Sequence, residues 1–218
     1  MRTCVDKIQE TMKKELFQEF IRTHQQEIIA IRDAACALHQ SVGQIYDRDL
    51  PYGYHLCMVA DAAMKYGHEI VTDKTDILPL VFGAYYHDSI EDARLTYNDV
   101  RKQANRFMEE EQALTAAEIV YALTNDKGRT RAERAGAHYY AGIRSTPYAP
   151  FVKLCDRYAN TYHSQQNASQ SHGINNRMYE VYRQEWPHFL NAIRCDEKDK
   201  RFLLPGALIQ AVVSLLTP

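Results

Sequence analysis

The sequence has no run of about 18 apolar residues, the length a helix needs to cross a bilayer. Its first residues, MRTCVDKIQETMKKELF, hold no apolar segment of signal-peptide type. These absences predict a chain that is neither exported nor membrane-spanning. The five cysteines, Cys4, Cys36, Cys57, Cys155 and Cys195, are scattered and never form a C-x-x-C pair. That argues against a disulfide framework and a zinc knuckle, and predicts reduced thiols in cytoplasm. An excess of one charge is also lacking: 26 basic and 28 acidic residues leave a net charge of -2. No global field therefore favours nucleic acid or an anionic membrane, and an anionic substrate must be met locally. Internal repeats, low-complexity tracts, Gly/Ser linkers and hairpin signals with flanking alternation are missing as well.

What is present suits a globular helical protein. Apolar residues make up 45% of the chain and charged ones 25%, enough to bury a sizeable core without a staple. One domain over the 218 residues is the simplest expectation. From Val5 to Gln40 apolar side chains, among them Leu16, Phe20, Ile28, Ile31, Ala35 and Leu38, recur at steps of three and four, as on a helix with one buried face. A break is expected near Thr23. A polar loop with Gly43, Arg48 and Pro51 leads to a second helix, Tyr54 to Tyr66, opened by His55 and stopped by Gly67. Asp76 is the expected N-cap of a third helix, Ile77 to His87, whose ILPLVFGAYY is apolar on every side and so belongs at the centre. Further helices are expected at Thr96 to Glu110, Thr115 to Leu123, Arg131 to Arg144, Ala149 to Tyr162 and Asn175 to Ile193, with a final one within Leu203 to Leu216. The fold class is all-α, with no strands.

The chemistry concentrates at the end of the apolar third helix, in GAYYHDSIED, Gly83 to Asp92. A His beside an Asp, partly buried and unpaired, would destabilise the fold by several kcal/mol in rough terms, and a divalent cation compensates both. Glu91 and Asp92 follow one turn after His87 and Asp88 and project from the same side if the helix continues. Two adjacent ligands leave a coordination sphere incomplete, so partners must come from other helices. His55 and Asp156 are the candidates, and Asn160 stands one turn beyond Asp156. Two His and two Asp suit Mn²⁺, Fe²⁺ or Zn²⁺.

The order His55, His87-Asp88, Asp156 resembles the H…HD…D signature of the HD-superfamily phosphohydrolases. The flanking residues are similar to the hydrolase domain of RelA/SpoT enzymes and their small metazoan homologues. The matching patches are PYGYH with Arg48 before it, HDSIED, TNDKGRTRAER (Thr124 to Arg134) and KLCDRYANT (Lys153 to Thr161). They span a motif-bearing core of about residues 30 to 162, while an N-terminal helical extension, 1–29, and C-terminal helices, 174–218, find little match. The loop from Arg48 to His55 is shorter than in the family, and the spacings from His55 to His87 and from Asp88 to Asp156 are longer than in its small members.

The resemblance implies a helical HD-domain bundle that hydrolyses the 3′-pyrophosphate of guanosine tetra- and pentaphosphate with a divalent metal, Mn²⁺ in that family. It implies His55, His87, Asp88 and Asp156 as metal ligands and Glu91 and Asp92 as general acid/base residues. Arg48 would lie near the nucleobase, and Lys127, Arg131 and Arg134 would neutralise the leaving pyrophosphate. Asn160 and, on a looser match, Tyr182 would touch the substrate. The expected partner is thus a small-molecule nucleotide, with no nucleic acid and no membrane, and no pattern specifies an oligomeric state. A nucleotidase or NADPH phosphatase would use the same metal, and a binding module would keep the fold without turnover. No synthetase or regulatory domain of that family fits beside it in 218 residues. The remaining histidines, His24, His39, His68, His138, His163, His172 and His188, are assigned to surface or packing, as are most of the 15 tyrosines.

Overall fold

The computed structural model of the chain describes residues 12–170 and 177–217, without the side chains of residues 131, 132 and 170. Cys4, the expected helix start at Val5, His172 and the expected start at Asn175 lie outside the described residues. The fold is all-α, as the periodicity predicts. The N-terminal helical segment breaks where expected: α1 covers Lys14–Thr23 and α2 Gln25–Ser41, with His24 between them. Thr23 Oγ1 bonds the Glu19 and Phe20 carbonyls behind it, a competition with the helix ladder that suits a break.

The loop after α2 corrects the expectation of no strands. Ile45–Asp47 (β1) and Leu50–Pro51 (β2) form a small antiparallel ribbon. Pieces this short carry no period-two signal, and the pairing register is irregular between Ile45 and Asp47. α3 runs Gly53–Tyr66 and stops at Gly67 as expected, which opens a 3-10 turn, Gly67–Glu69. A second 3-10 turn, Lys74–Asp76, precedes α4, Ile77–Tyr86. Asp76 is the N-cap residue of α4, as expected, but without a side-chain cap bond. Asp73 caps the turn by accepting from the Thr75 N–H, whereas Asp76 makes no cap bond and accepts from Tyr148 Oη at 2.5 Å. Asp76 has helical backbone, as the last residue of the 3-10 turn, and its carboxylate is engaged by Tyr148 instead of the first α4 N–H groups.

Every residue of α4 is buried. At about 1.5–3 kcal/mol for each large apolar side chain removed from water, Ile77, Leu80, Val81 and Phe82 make it the central hydrophobic element. α5, Tyr97–Ala104, starts at a capping box of Thr96 and Asp99 and ends earlier than expected. α6, Glu110–Leu123, starts earlier than expected, the Gln112 side chain accepting from the Glu109 N–H. The expected Arg131 to Arg144 helix is two, α7 Arg131–Arg134 and α8 Ala137–Ser145, separated at Gly136, whose backbone is extended. α9, Ala149–Gln170, is longer than expected; α10, Arg177–Ile193, and α11, Gly206–Leu216, complete the described chain.

α3 packs against α2, α4 and α9, and α4 also meets α6 and α9. Two glycines permit close helix crossings. A Cβ on Gly83 would stand 2.6 Å from Ile119 Cγ2, and one on Gly53 2.7 Å from Cys36 Sγ. α4 can therefore approach α6, and α3 approach α2, only because these positions lack a side chain. Among the described residues no helix is long and apolar enough to cross a membrane.

Candidate metal centre

Three mutually packed helices deliver the four expected ligands. His55 lies in the first turn of α3, His87 follows the last residue of α4, Asp88 comes next, and Asp156 projects from α9. The α-helix gives way to a tight turn at His87, closed by Ser89 N–H to Tyr86 O at 2.8 Å and Asp92 N–H to Asp88 O at 2.8 Å. That turn keeps Asp88 and Asp92 stacked, although the regular helix has ended.

His55 Nε2 stands 3.3 Å from His87 Nε2, 3.7 Å from Asp88 Oδ2 and 3.4 Å from Asp156 Oδ1. His87 Nε2 stands 2.9 Å from Asp88 Oδ2 and 3.9 Å from Asp156 Oδ1. Around a cation with bonds of about 2.1 Å, neighbouring donor atoms lie about 3.0–3.4 Å apart. His55, His87 and Asp88 can hold a metal ion, and Asp156 Oδ1 stands beside the two imidazoles. The donor chemistry fits as well. His87 Nδ1 sits 2.9 Å from the Ala84 carbonyl, which calls for N–H there and leaves a lone pair on Nε2. Two imidazole nitrogens and two carboxylates then converge, an arrangement that needs a shared positive charge.

The electrostatics agree. Burial works against protonation of His87, yet Asp88 beside it and Asp156 raise its pKa to about 9. Without a cation, a proton takes that place. Burial pushes the Asp88 carboxyl up, but the His87 imidazole holds it well below the usual carboxylate range. Asp156 is likewise held low against burial, by Lys153, whose ammonium donates to Oδ2 at 2.9 Å.

A second ring of side chains fixes these four. Tyr52 Oη donates to Asp88 Oδ2 at 2.5 Å, and Asn160 Nδ2 donates to Asp156 Oδ1 at 2.5 Å. Tyr46 Oη donates to Asn160 Oδ1 at 2.9 Å while its ring stacks on His55. His39 is fully buried and stacks on Tyr52, and burial lowers its pKa to about 4. Sequence reasoning assigned nothing to Tyr46 and Lys153; Tyr52 lies inside the PYGYH patch, but no spacing rule marks it as a partner of Asp88.

The other expected residues divide. Glu91 is held by Asn125, whose Nδ2 lies 2.8 Å from both carboxylate oxygens. Asp92 is half-buried, and burial and the Asp88 charge raise its pKa. Glu91, Arg134, Asp156, Asn160 and Tyr182 line a cavity of about 810 Å³ beside the centre, together with Arg144, Lys153 and Arg157. Arg157 is buried between the rings of Tyr182 and Phe189 and pairs with Glu185 at 2.9 Å. Arg48 is exposed on the ribbon turn and Lys127 on the loop after α6, and neither lines this cavity. The ribbon brings Tyr46, not Arg48, to the centre. The side chain of Arg131 lies outside the described residues.

No protein-family model matches the chain, and no curated protein matches it.

Proposed function

We propose that this chain is a metal-dependent phosphohydrolase of the HD type that removes the 3′-pyrophosphate from guanosine tetraphosphate or pentaphosphate in the cytoplasm. The observation that supports it most is a single juxtaposition: His55, His87 and Asp88 can share one metal ion, Asp156 Oδ1 stands 3.4 Å from His55 Nε2, and Asp156 lines a cavity of about 810 Å³ together with Arg134, Arg144, Lys153 and Arg157. The volume falls in the range of small-molecule sites, and Arg134 on its wall suits a phosphorylated ligand, while Lys153 and Arg157 are paired with Asp156 and Glu185. The nucleotide itself comes from the resemblance of the four sequence patches.

His55, His87, Asp88 and Asp156 would hold the cation, Mn²⁺ first, with Fe²⁺ and Zn²⁺ suited to the same donors. When bound, such a cation supplies positive charge against the phosphate oxygens and acidifies nearby water. Glu91, aimed by Asn125, takes the proton of the attacking water. Asp92, with its raised pKa, is the group placed to return a proton to the leaving side. Arg134 and Asn160 bind phosphate or ribose oxygens from the cavity wall, and the Tyr182 ring supplies an apolar surface. The exposed Arg48 and Lys127 have no part in this reading.

The test is product analysis after chelation and Mn²⁺ addition, on guanosine tetraphosphate, NADPH and deoxynucleoside monophosphates, for wild type and Asp88→Ala. Pyrophosphate from guanosine tetraphosphate, released only by metal-loaded wild type, is the expected result. Orthophosphate from NADPH or a monophosphate would keep the metal chemistry and overturn the substrate. Absence of turnover on all of them would overturn the enzyme and favour a nucleotide-binding module.

A further inference from the structure

We infer that Tyr46 is a positioning residue of the proposed metal centre, and that Asp47, His163 and Asn167 form the latch that keeps it there. The inference rests on the metal reading of His55 and Asp156 and assigns a task to the ribbon, which that reading leaves without one.

Tyr46 bears on both ligands, on His55 directly through its ring and on Asp156 through Asn160. Its ring lies over the His55 imidazole with centroids 4.8 Å apart and planes 16° from parallel. Its hydroxyl donates to Asn160 Oδ1 at 2.9 Å, Asn160 Nδ2 donates to Asp156 Oδ1 at 2.5 Å, and that oxygen stands 3.4 Å from His55 Nε2. The order of donors matters. An asparagine amide has nearly the same shape in its two flipped orientations, and only one of them presents hydrogen to a carboxylate. With Nδ2 toward Asp156, Oδ1 is left to accept, and the phenol supplies the hydrogen. Without it, Asn160 loses the partner that fixes its orientation, and Asp156 Oδ1 loses a fixed direction.

A ribbon of three and two residues cannot hold itself in place, because so few ladder bonds do not offset the entropy of ordering it. Side chains of α9 supply the hold. Asp47 Oδ2 lies 2.9 Å from His163 Nε2 and accepts from Asn167 Nδ2 at 2.8 Å, and the Tyr46 ring meets the His163 ring with centroids 4.7 Å apart. Asn160, His163 and Asn167 are spaced three and four apart, so they share one face of α9 with Asp156. One helix stripe thus carries a proposed ligand, the amide that orients it and the two groups that anchor the ribbon delivering Tyr46.

The test is Mn²⁺ titration of the metal-free full chain, followed by the loss of the free-ion electron paramagnetic resonance signal, with thermal midpoints recorded alongside. Wild type is expected to bind and His87→Ala to lose binding. Tyr46→Phe keeps the ring and removes the hydroxyl; affinity is expected to fall about 10–100-fold, the size seen for partners of metal ligands, with the midpoint nearly unchanged. Asp47→Asn should weaken binding in the same direction. In an Asn160→Ala background, Tyr46→Phe should cost nothing more, because the two act in series. Wild-type affinity in Tyr46→Phe, beside lost binding in His87→Ala, would overturn the positioning role and leave the metal reading intact. Full additivity in the double variant would reduce Tyr46 to packing, and unchanged affinity in Asp47→Asn would overturn the latch. If wild type binds no Mn²⁺, the metal reading fails and this inference with it.

Discussion

At His87 the backbone decides what the ring can do. Because Nδ1 lies on the Ala84 carbonyl, the nitrogen that faces His55, Asp88 and Asp156 is the one open to a cation or, without one, to a proton. Glu91 differs, being exposed and aimed by Asn125. Glu91→Gln should therefore leave unfolding free energy within about 0.5 kcal/mol and lower turnover about 10²–10⁴-fold. Paired denaturation and steady-state assays check this, and unchanged turnover would remove Glu91 from the mechanism. His39 gives a pH prediction. Burial lowers its folded pKa from 6.5 to about 4, so between those values the unfolded chain binds the extra proton. Its stabilising effect is complete above about pH 6.5 and declines as pH falls toward 4. From pH 7 to pH 5, metal-free wild type should lose about 2 kcal/mol more than His39→Leu. Urea unfolding at the two pH values measures it, and parallel losses would show that His39 does not titrate as its burial requires.

Among the elements, α4 carries the strongest constraint. It is buried all round, and Gly83 sets its distance from α6. Gly83→Ala would drive a methyl group into Ile119, costing about 1–3 kcal/mol as other overpacked core positions do. Ile119→Ala should recover part of that loss in the double variant. Since His87 ends this helix, Mn²⁺ affinity should fall in Gly83→Ala and partly return in the pair. Denaturation of the four variants of the cycle tests the packing account, and strictly additive losses would contradict it.

For the molecule as a whole, a cation bridging α3, α4 and α9 would link binding to folding. At Mn²⁺ one hundred times above its dissociation constant, the native state gains about 2.7 kcal/mol. For a chain of this size that raises the thermal midpoint by roughly 5–10 °C. The rise should be absent in His87→Ala and reversed by chelator. A scan that shows the same rise in both proteins would place the cation elsewhere.

Much was legible because it is local. Three- and four-residue steps mark α1 and α2 and the break beside Thr23, and ILPLVFGAYY has no polar face to expose, so α4 had to be central. His87, Asp88, Glu91 and Asp92 could be read as one cluster because a single turn of chain joins them. Short pieces and helix ends were harder. The ribbon is too brief to show a period, and the missing cap bond at Asp76 depends on a 3-10 turn before α4 and on the distant Tyr148. The sequence by itself determined the helical class, the central apolar helix and which residue types can bind a cation. Only the tertiary structure decided that Tyr46 rather than Arg48 meets the centre, that Lys153 and Asn160 grip Asp156, and that Arg134, Arg157 and Tyr182 line one cavity. Those choices depend on helix crossings, and crossings are set by contacts between residues far apart in the chain, such as Gly83 against Ile119.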